Sequence, residues 1–199
     1  MTYSLLPVSL LNMRLINTTT YEIEEFFGDL PPYAILSHTW EEKELTLWDL
    51  QNTSISELQL LPKFEKIRGC CGQARNHNLR WAWIDTCCID KTSSAELSEA
   101  INSMFDWYAR AAICLAYLSD VMKMVNGSEL RSAFFRARWF TRGWTLQELI
   151  APSMLAFYDR SWNFLGLRRE PRLQAWISEL TGVKDFERWN DASVACKFS

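Results

Sequence analysis

The sequence predicts an α/β fold with a central, mostly parallel sheet flanked by helices. Three observations carry that expectation. Four apolar runs of strand length fall at residues 33–37, 81–85, 112–118 and 154–158. The segments between them repeat their apolar residues near helical period, and two of the runs end abruptly in polar clusters. The run 112–118 is nearly continuous in apolar residues, as expected of a strand covered on both faces.

In chain order, residues 14–26 read as a short strand and a polar turn, and Pro31-Pro32 breaks the chain before the first clear strand. Residues 41–56 are charged and irregular, with Leu45, Leu47 and Trp48 as anchors, which suits a loop with one helical turn. From 56 to 76 the set Phe64, Ile67, Cys71 and Ala74 recurs near helical period, ahead of the second strand. Ser93 and Glu96 then stand at capping-box spacing, and Leu97, Ala100, Ile101, Met104, Phe105 and Tyr108 keep one apolar helical face. After the third strand, 119–135 reads as a connection around Asn126-Gly127. A helix near 144–150 stops at Pro152, the fourth strand follows, and Trp176, Ile177 and Leu180 mark one more helix. The organisation expected is an extension over 1–12, a domain over 13–182 and a tail over 183–199 that ends as a fragment of something longer would.

Length and composition bound the function. A chain of 199 residues suffices for one well-buried core and is short for two domains. Ten tryptophans need burial or a cleft, with a partner for each N–H. The net charge of −3 argues against a general binder of nucleic acid or anionic membrane, both of which need a basic surface. Apolar stretches fall well short of a membrane span, and residues 1–12 lack the basic start and cleavage site of a signal peptide. A soluble, cytoplasmic chain is the expectation. Six cysteines fall as Cys70-Cys71, Cys87-Cys88, Cys114 and Cys196, a poor framework for disulfides. With no C-x-x-C and only His38 and His77, no metal site is expected.

In open parallel sheets, ligands sit beyond the carboxyl ends of the strands. That rule puts Ser37, His38, Thr39 and Trp40 beyond the first run, and Asp85, Thr86 and Asp90 at or beyond the second. Glu148 follows Trp144 by four residues, a spacing that sets indole and carboxylate on one helix face. Arg136, Arg138 and Arg142 precede it, three cations suited to phosphates. Each residue has a plainer reading. His38 can satisfy local backbone, Asp85 can cap the next segment, and the arginines can be a solvated surface. Glu148 can pair with one of them, and Trp144 can belong to the core. Phosphate-loop patterns are absent, and Gly69-Cys-Cys-Gly72 matches none of them. No G-x-S-x-G elbow occurs, and nothing local activates Cys87 or Cys88 for a thiol hydrolase with His38 and Asp85.

Three blocks occur in order: Pro32-Tyr-Ala-Ile-Leu-Ser-His-Thr-Trp40, Trp83-Ile-Asp-Thr-Cys-Cys-Ile-Asp90 with Met104-Phe-Asp-Trp-Tyr108 after it, and Arg138-Trp-Phe-Thr-Arg-Gly-Trp-Thr-Leu-Gln-Glu-Leu149. Together with Met13-Arg-Leu-Ile-Asn-Thr-Thr-Thr20 and Phe157-Tyr-Asp-Arg-Ser-Trp-Asn-Phe164, they closely resemble the fungal heterokaryon incompatibility (HET) domain. The resemblance implies a domain that triggers cell death when incompatible cells fuse, often joined to nucleotide-binding and repeat domains. HET domains in turn look like distant relatives of TIR domains, which implies a flavodoxin-like parallel sheet with family-specific insertions. Catalytic TIR domains cleave NAD with a glutamate in a Trp-x-x-x-Glu-Leu context, and Trp144-Thr-Leu-Gln-Glu148-Leu149 is similar to it. Glu148 inherits the catalytic role through that resemblance.

The resulting expectation is an enzyme that breaks the nicotinamide–ribose bond of NAD or a related nucleotide, used as substrate and not as cofactor. Glu148 would stabilise the developing oxocarbenium ion. Ser37, His38, Trp40, Asp85, Arg138 and Trp144 would bind substrate, with Asp85 orienting ribose hydroxyls and a tryptophan stacking on a ring. Self-association is expected to complete the site. The alternative is a non-catalytic assembly module. A cleft shared by Glu148, Ser37 and Asp85 favours the enzyme, and burial of Glu148 in an arginine pair favours the module.

Overall fold

A computed structural model describes residues 12–122 and 126–183. The extension over 1–12, the tail over 183–199 and Cys196 therefore lie outside the described residues, but for Asn12 and Val183. The chain opens with strands β1 (Asn12–Asn17), β2 (Ile23–Phe27) and β3 (Tyr33–His38), then helices α1 (Leu47–Asn52) and α2 (Ile55–Leu58). A 3-10 turn at Pro62–Phe64 leads into α3 (Glu65–Asn76), followed by β4 (Trp81–Trp83), α4 (Asp85–Cys88) and α5 (Ser94–Arg110). Next come β5 (Ile113–Leu118), α6 (Gly127–Phe135) and a second 3-10 turn at Arg138–Thr141. The helix α7 (Thr145–Ile150), strands β6 (Leu155–Asp159) and β7 (Phe164–Leu167) and helix α8 (Pro171–Thr181) complete it. The fold class is α/β, as the apolar runs imply.

These elements divide into two compact units, one holding Leu45–Leu97 with the chain up to Tyr33, the other Ala34–Glu44 with the chain from Ser98. In the first unit β1 pairs antiparallel with both β2 and β4. The hairpin turn between β1 and β2 places Tyr21 at φ 64° and packs its ring edge-on to Phe64 at 5.1 Å. The strand expected over 81–85 stops at Trp83, because Asp85 already opens α4. The helical period seen over 56–76 resolves into α2, the proline-led turn and α3, whose inward face is Ile67, Cys70, Cys71 and Ala74. Ser93 caps α5 through the Glu96 N–H at 3.3 Å, but only half of the capping box forms. The Glu96 carboxylate instead accepts from the Asp90 N–H at 2.7 Å and pairs with Arg14 at 2.5 Å.

In the second unit β3 and β5 run parallel, β5 and β6 run parallel, and β7 adds an antiparallel edge. β5 is buried along five of its six residues, which matches its unbroken apolar sequence. Phe134, Trp139 and Phe157, all fully buried, meet edge-on with ring centroids 5.2 and 5.6 Å apart, and Trp176 of α8 closes on Phe134 at 5.6 Å. The segment 119–135, read as a connection, holds α6. Asn126 caps it through the Ser128 N–H at 2.9 Å, and Leu130 and Phe134, one turn apart, give it a buried stripe. Gly182 ends α8 in the left-handed conformation at φ 74°. Among the described residues no helix is long and apolar enough to cross a membrane.

Candidate functional site

Ser37 is the fifth residue of β3, and its side chain is fully buried at the carboxyl end of that strand. Its hydroxyl donates to Glu148 Oε2 at 2.6 Å and accepts from the Trp139 indole N–H at 2.7 Å. Trp139 lies in the 3-10 turn and is held by the aromatic cluster. The Thr145 hydroxyl, in the first turn of α7, donates to the Trp139 carbonyl. A strand end, a turn and a short helix are thus tied to one carboxylate.

Glu148 is 3% exposed. Besides Ser37, it accepts two parallel hydrogen bonds from Arg142, Nη1 to Oε2 at 2.8 Å and Nη2 to Oε1 at 2.9 Å. This fork-to-fork geometry is the strongest form of an arginine–carboxylate pair. Arg142 sits in extended backbone just before α7, so the pair spans the junction between turn and helix. The Arg142 side chain is 20% exposed against 4% for Glu148. The arginine is the more exposed half of the pair.

The other expected site residues distribute as follows. His38 is buried, with Nδ1 3.8 Å from Glu44 Oε1. Trp40 and Trp144 are 53% and 43% exposed, and Trp144 stands at the N-cap of α7 with its carbonyl accepting from the Glu148 N–H at 3.3 Å. Its indole, which helix spacing set on one face with the carboxylate, is exposed while Glu148 is buried. Arg138 faces solvent and is engaged elsewhere, its N–H donating to Asp120 Oδ2 at 2.9 Å and its guanidinium near Ser119, Asp120 and Glu41. Asp85 belongs to the first unit, where it begins α4. Trp139, Thr145 and the pairing of Arg142 were not singled out from sequence, although all three residues stand inside the third block.

Thiol chemistry is opposed by the surroundings of the cysteines. Burial pushes Cys87 well above the ordinary thiol range, with its hydrogen bond to Cys88 adding to the rise. Burial likewise pushes Cys71 up to about 12. Cys114 on β5 is raised well above the ordinary range by burial, and the Glu148 charge raises it further. A reactive cysteine needs the reverse. Among the described residues no group of three His, Cys, Asp or Glu side chains is placed to hold a metal ion.

The sequence profile described as heterokaryon incompatibility protein (HET) matches residues 33–130, which include the first two sequence blocks but for Pro32. A vegetative incompatibility protein of Podospora anserina, HET-E-1, is 45% identical over 163 residues, or 78% of this chain. The chain spans 12% of that relative's length. No solved structure gives a significant match. On the profile match and this identity across most of its length, the chain carries a heterokaryon incompatibility domain and belongs to that family.

Proposed function

We propose that this chain acts in fungal vegetative incompatibility as the domain that triggers cell death, and that its effector chemistry is cleavage of NAD or a related nucleotide. The observation that carries the chemical part is Glu148, a carboxylate fixed by Ser37 at the carboxyl end of a parallel strand. In the reaction the C–N bond between ribose and nicotinamide breaks, and its electron pair leaves with the ring nitrogen. The ribose carbon takes on oxocarbenium character, which Glu148 stabilises. Water then adds to that carbon and gives up a proton, leaving ADP-ribose. Nicotinamide leaves without protonation, so one ionised acid suffices. Trp40 and Trp144, both partly exposed, are the side chains we assign to stacking on a ring, whereas the Arg138 guanidinium lies against Ser119 and Asp120.

The bidentate Arg142 pair favours a second reading. As it stands, the carboxylate is neutralised, and such a pair suits a non-catalytic module that signals by self-association. One variant separates the two. Glu148→Gln keeps the shape of the side chain but removes its charge, and loss of a preorganised interaction costs about 3–4 kcal/mol in the transition state, a rate loss of about a hundredfold or more. The assay is release of free nicotinamide from NAD by purified protein, wild type and variant. A folded variant with full activity would remove Glu148 from the chemistry, and a wild type inactive even when clustered would establish the module in place of the enzyme.

A further inference from the structure

We infer that Arg168 is a positioning residue for the Glu148 carboxylate, acting through the carboxyl end of the helix that carries it. The kinetic consequence rests on the nucleotide-cleaving reading of Glu148; the mechanical one does not. Ser37 and Arg142 decide where the two carboxylate oxygens lie, but the backbone of Glu148 belongs to α7. That helix has six residues, too few to hold its shape unaided. Its first turn is tied down by the Thr145 hydroxyl, which donates to the Trp139 carbonyl. At the other end Pro152 has no N–H for the carbonyl of Glu148, four residues before it, and the helical pattern stops. The last carbonyls of such a helix take their partners from outside it.

Arg168 follows β7 directly, and its backbone N–H donates to the Leu155 carbonyl at the start of β6 at 2.9 Å. The residue is buried, 6% exposed. Its guanidinium donates through Nη1 to the Leu149 carbonyl and through Nη2 to the Pro152 carbonyl at 2.9 Å. One fork thus takes a carbonyl inside α7 and another just beyond it, and fastens the helix end to the sheet. A cation there also meets the negative end of the helix. Burial lowers the Arg168 pKa from the ordinary guanidinium value, so the charge is held inside against a desolvation cost. Cys114, on the strand between β3 and β6, lies within reach of both charges: burial raises its thiol, Glu148 adds to the rise and Arg168 offsets part of it. Leu149 is the next residue after Glu148, so a helix end released from Arg168 would carry the carboxylate with it. Arg168 also borders a small cavity of about 10 Å³ with Ser153, Met154, Leu155, Leu167 and Arg169, and shortening its side chain would enlarge that space enough for a free guanidinium ion.

Two readouts on the full chain test this. The first is the Trp139 indole N–H resonance in two-dimensional NMR, which reports the run of bonds from Trp139 through Ser37 to Glu148. In folded Arg168→Ala it should leave its wild-type position, and millimolar guanidinium, far below denaturing concentrations, should bring it back. General loosening would instead be worsened by that ion. A resonance that stays in place, or one that guanidinium does not restore, overturns the inference. The second readout is nicotinamide release. Misplacing a reacting group by about 1 Å can cost about a hundredfold, so kcat should fall about tenfold or more with KM unchanged, and guanidinium should restore it. A kcat equal to that of wild type overturns the positioning role. A wild type that releases no nicotinamide removes the cleavage reading alone, and the resonance still decides whether Arg168 holds Glu148 in place. Should Arg168→Ala fail to fold, Arg168→Lys replaces it. That variant keeps the charge, but a single ammonium lacks the fork that spans both carbonyls, and the same displacement is expected. A wild-type resonance in Arg168→Lys then overturns the inference.

Discussion

Ser37 shows how much chemistry one small residue can concentrate. Its hydroxyl has one proton and is buried, yet it satisfies two neighbours, donating to Glu148 and accepting from the Trp139 indole. Ser37→Ala would strand a buried N–H and take one donor from a buried carboxylate. An unmet buried polar group costs about 1–3 kcal/mol, and a loss of at least that size is expected in urea unfolding, far more than a surface serine would give. A variant as stable as wild type would mean that the triad does not hold in solution. Ser37 and Glu148 were legible in the sequence, one from its place after an apolar run and the other from its motif. The arginine pair was foreseen in kind but not assigned to Arg142. Helix rules read partners three or four residues apart, whereas Arg142 and Glu148 are six apart and meet because the chain turns between them. Trp139 escaped notice for a similar reason, since its partner is more than a hundred residues away and only the tertiary fold brings the two together.

At the scale of elements, long periodic runs were legible and short capped ones were not. β3, β5 and β6 fall within a residue of their expected bounds, since a run of buried apolar residues has little freedom of interpretation. α6 was missed because only Leu130 and Phe134 of its nine residues are buried, too weak a stripe to stand out. Strand β7 was missed because its exposed start and Gly166 hide the alternation. That glycine has φ +144°, and an added Cβ would lie 2.8 Å from both Glu170 Oε2 and Leu173 Cδ1. Gly166→Ala should cost about 1–3 kcal/mol through backbone strain and displaced packing, visible as a lowered urea midpoint with unchanged slope. An unchanged midpoint would refute the strain. α1 yields a second prediction at this scale. Thr46 and Asp49 form a reciprocal capping box. Burial raises the Asp49 pKa, but hydrogen bonds from the Thr46 backbone and hydroxyl, aided by Lys63, outweigh it and hold the carboxyl below its ordinary range. A lowered carboxylate pKa contributes stability that is present above the unfolded value and lost as pH falls through the folded one. Thr46→Ala should therefore cost about 1 kcal/mol at neutral pH, and its difference from wild type should narrow in acid. A difference constant across that range would show that the box contributes nothing through charge.

For the whole molecule, the α/β class was legible in four apolar runs, but the division into two units was not. Ala34–Glu44 clusters with the chain from Ser98 onward, and no local pattern in either piece announces that. The proposed self-association belongs to this scale as well, because it would be a property of complete surfaces. The second unit leaves Trp40, Trp144 and Leu146 about half exposed, and Trp144 and Leu146 flank the start of the helix that carries Glu148. Aromatic side chains are over-represented at the centres of protein interfaces, and a stable one buries about 1,200–2,000 Å² in total. A contact that covered these residues would restrain the turn and helix between which Arg142 and Glu148 are paired, and so act on the site directly. The rate of nicotinamide release per molecule should then rise with protein concentration, and rise further when an oligomerising tag is appended. Leu146→Ser removes an exposed apolar group without touching Ser37, Arg142 or Glu148. It should flatten the concentration dependence while leaving the tagged protein active. If instead the rate per molecule is flat in a protein that demonstrably cleaves NAD, assembly has no part in completing the site and the isolated domain is already a full enzyme.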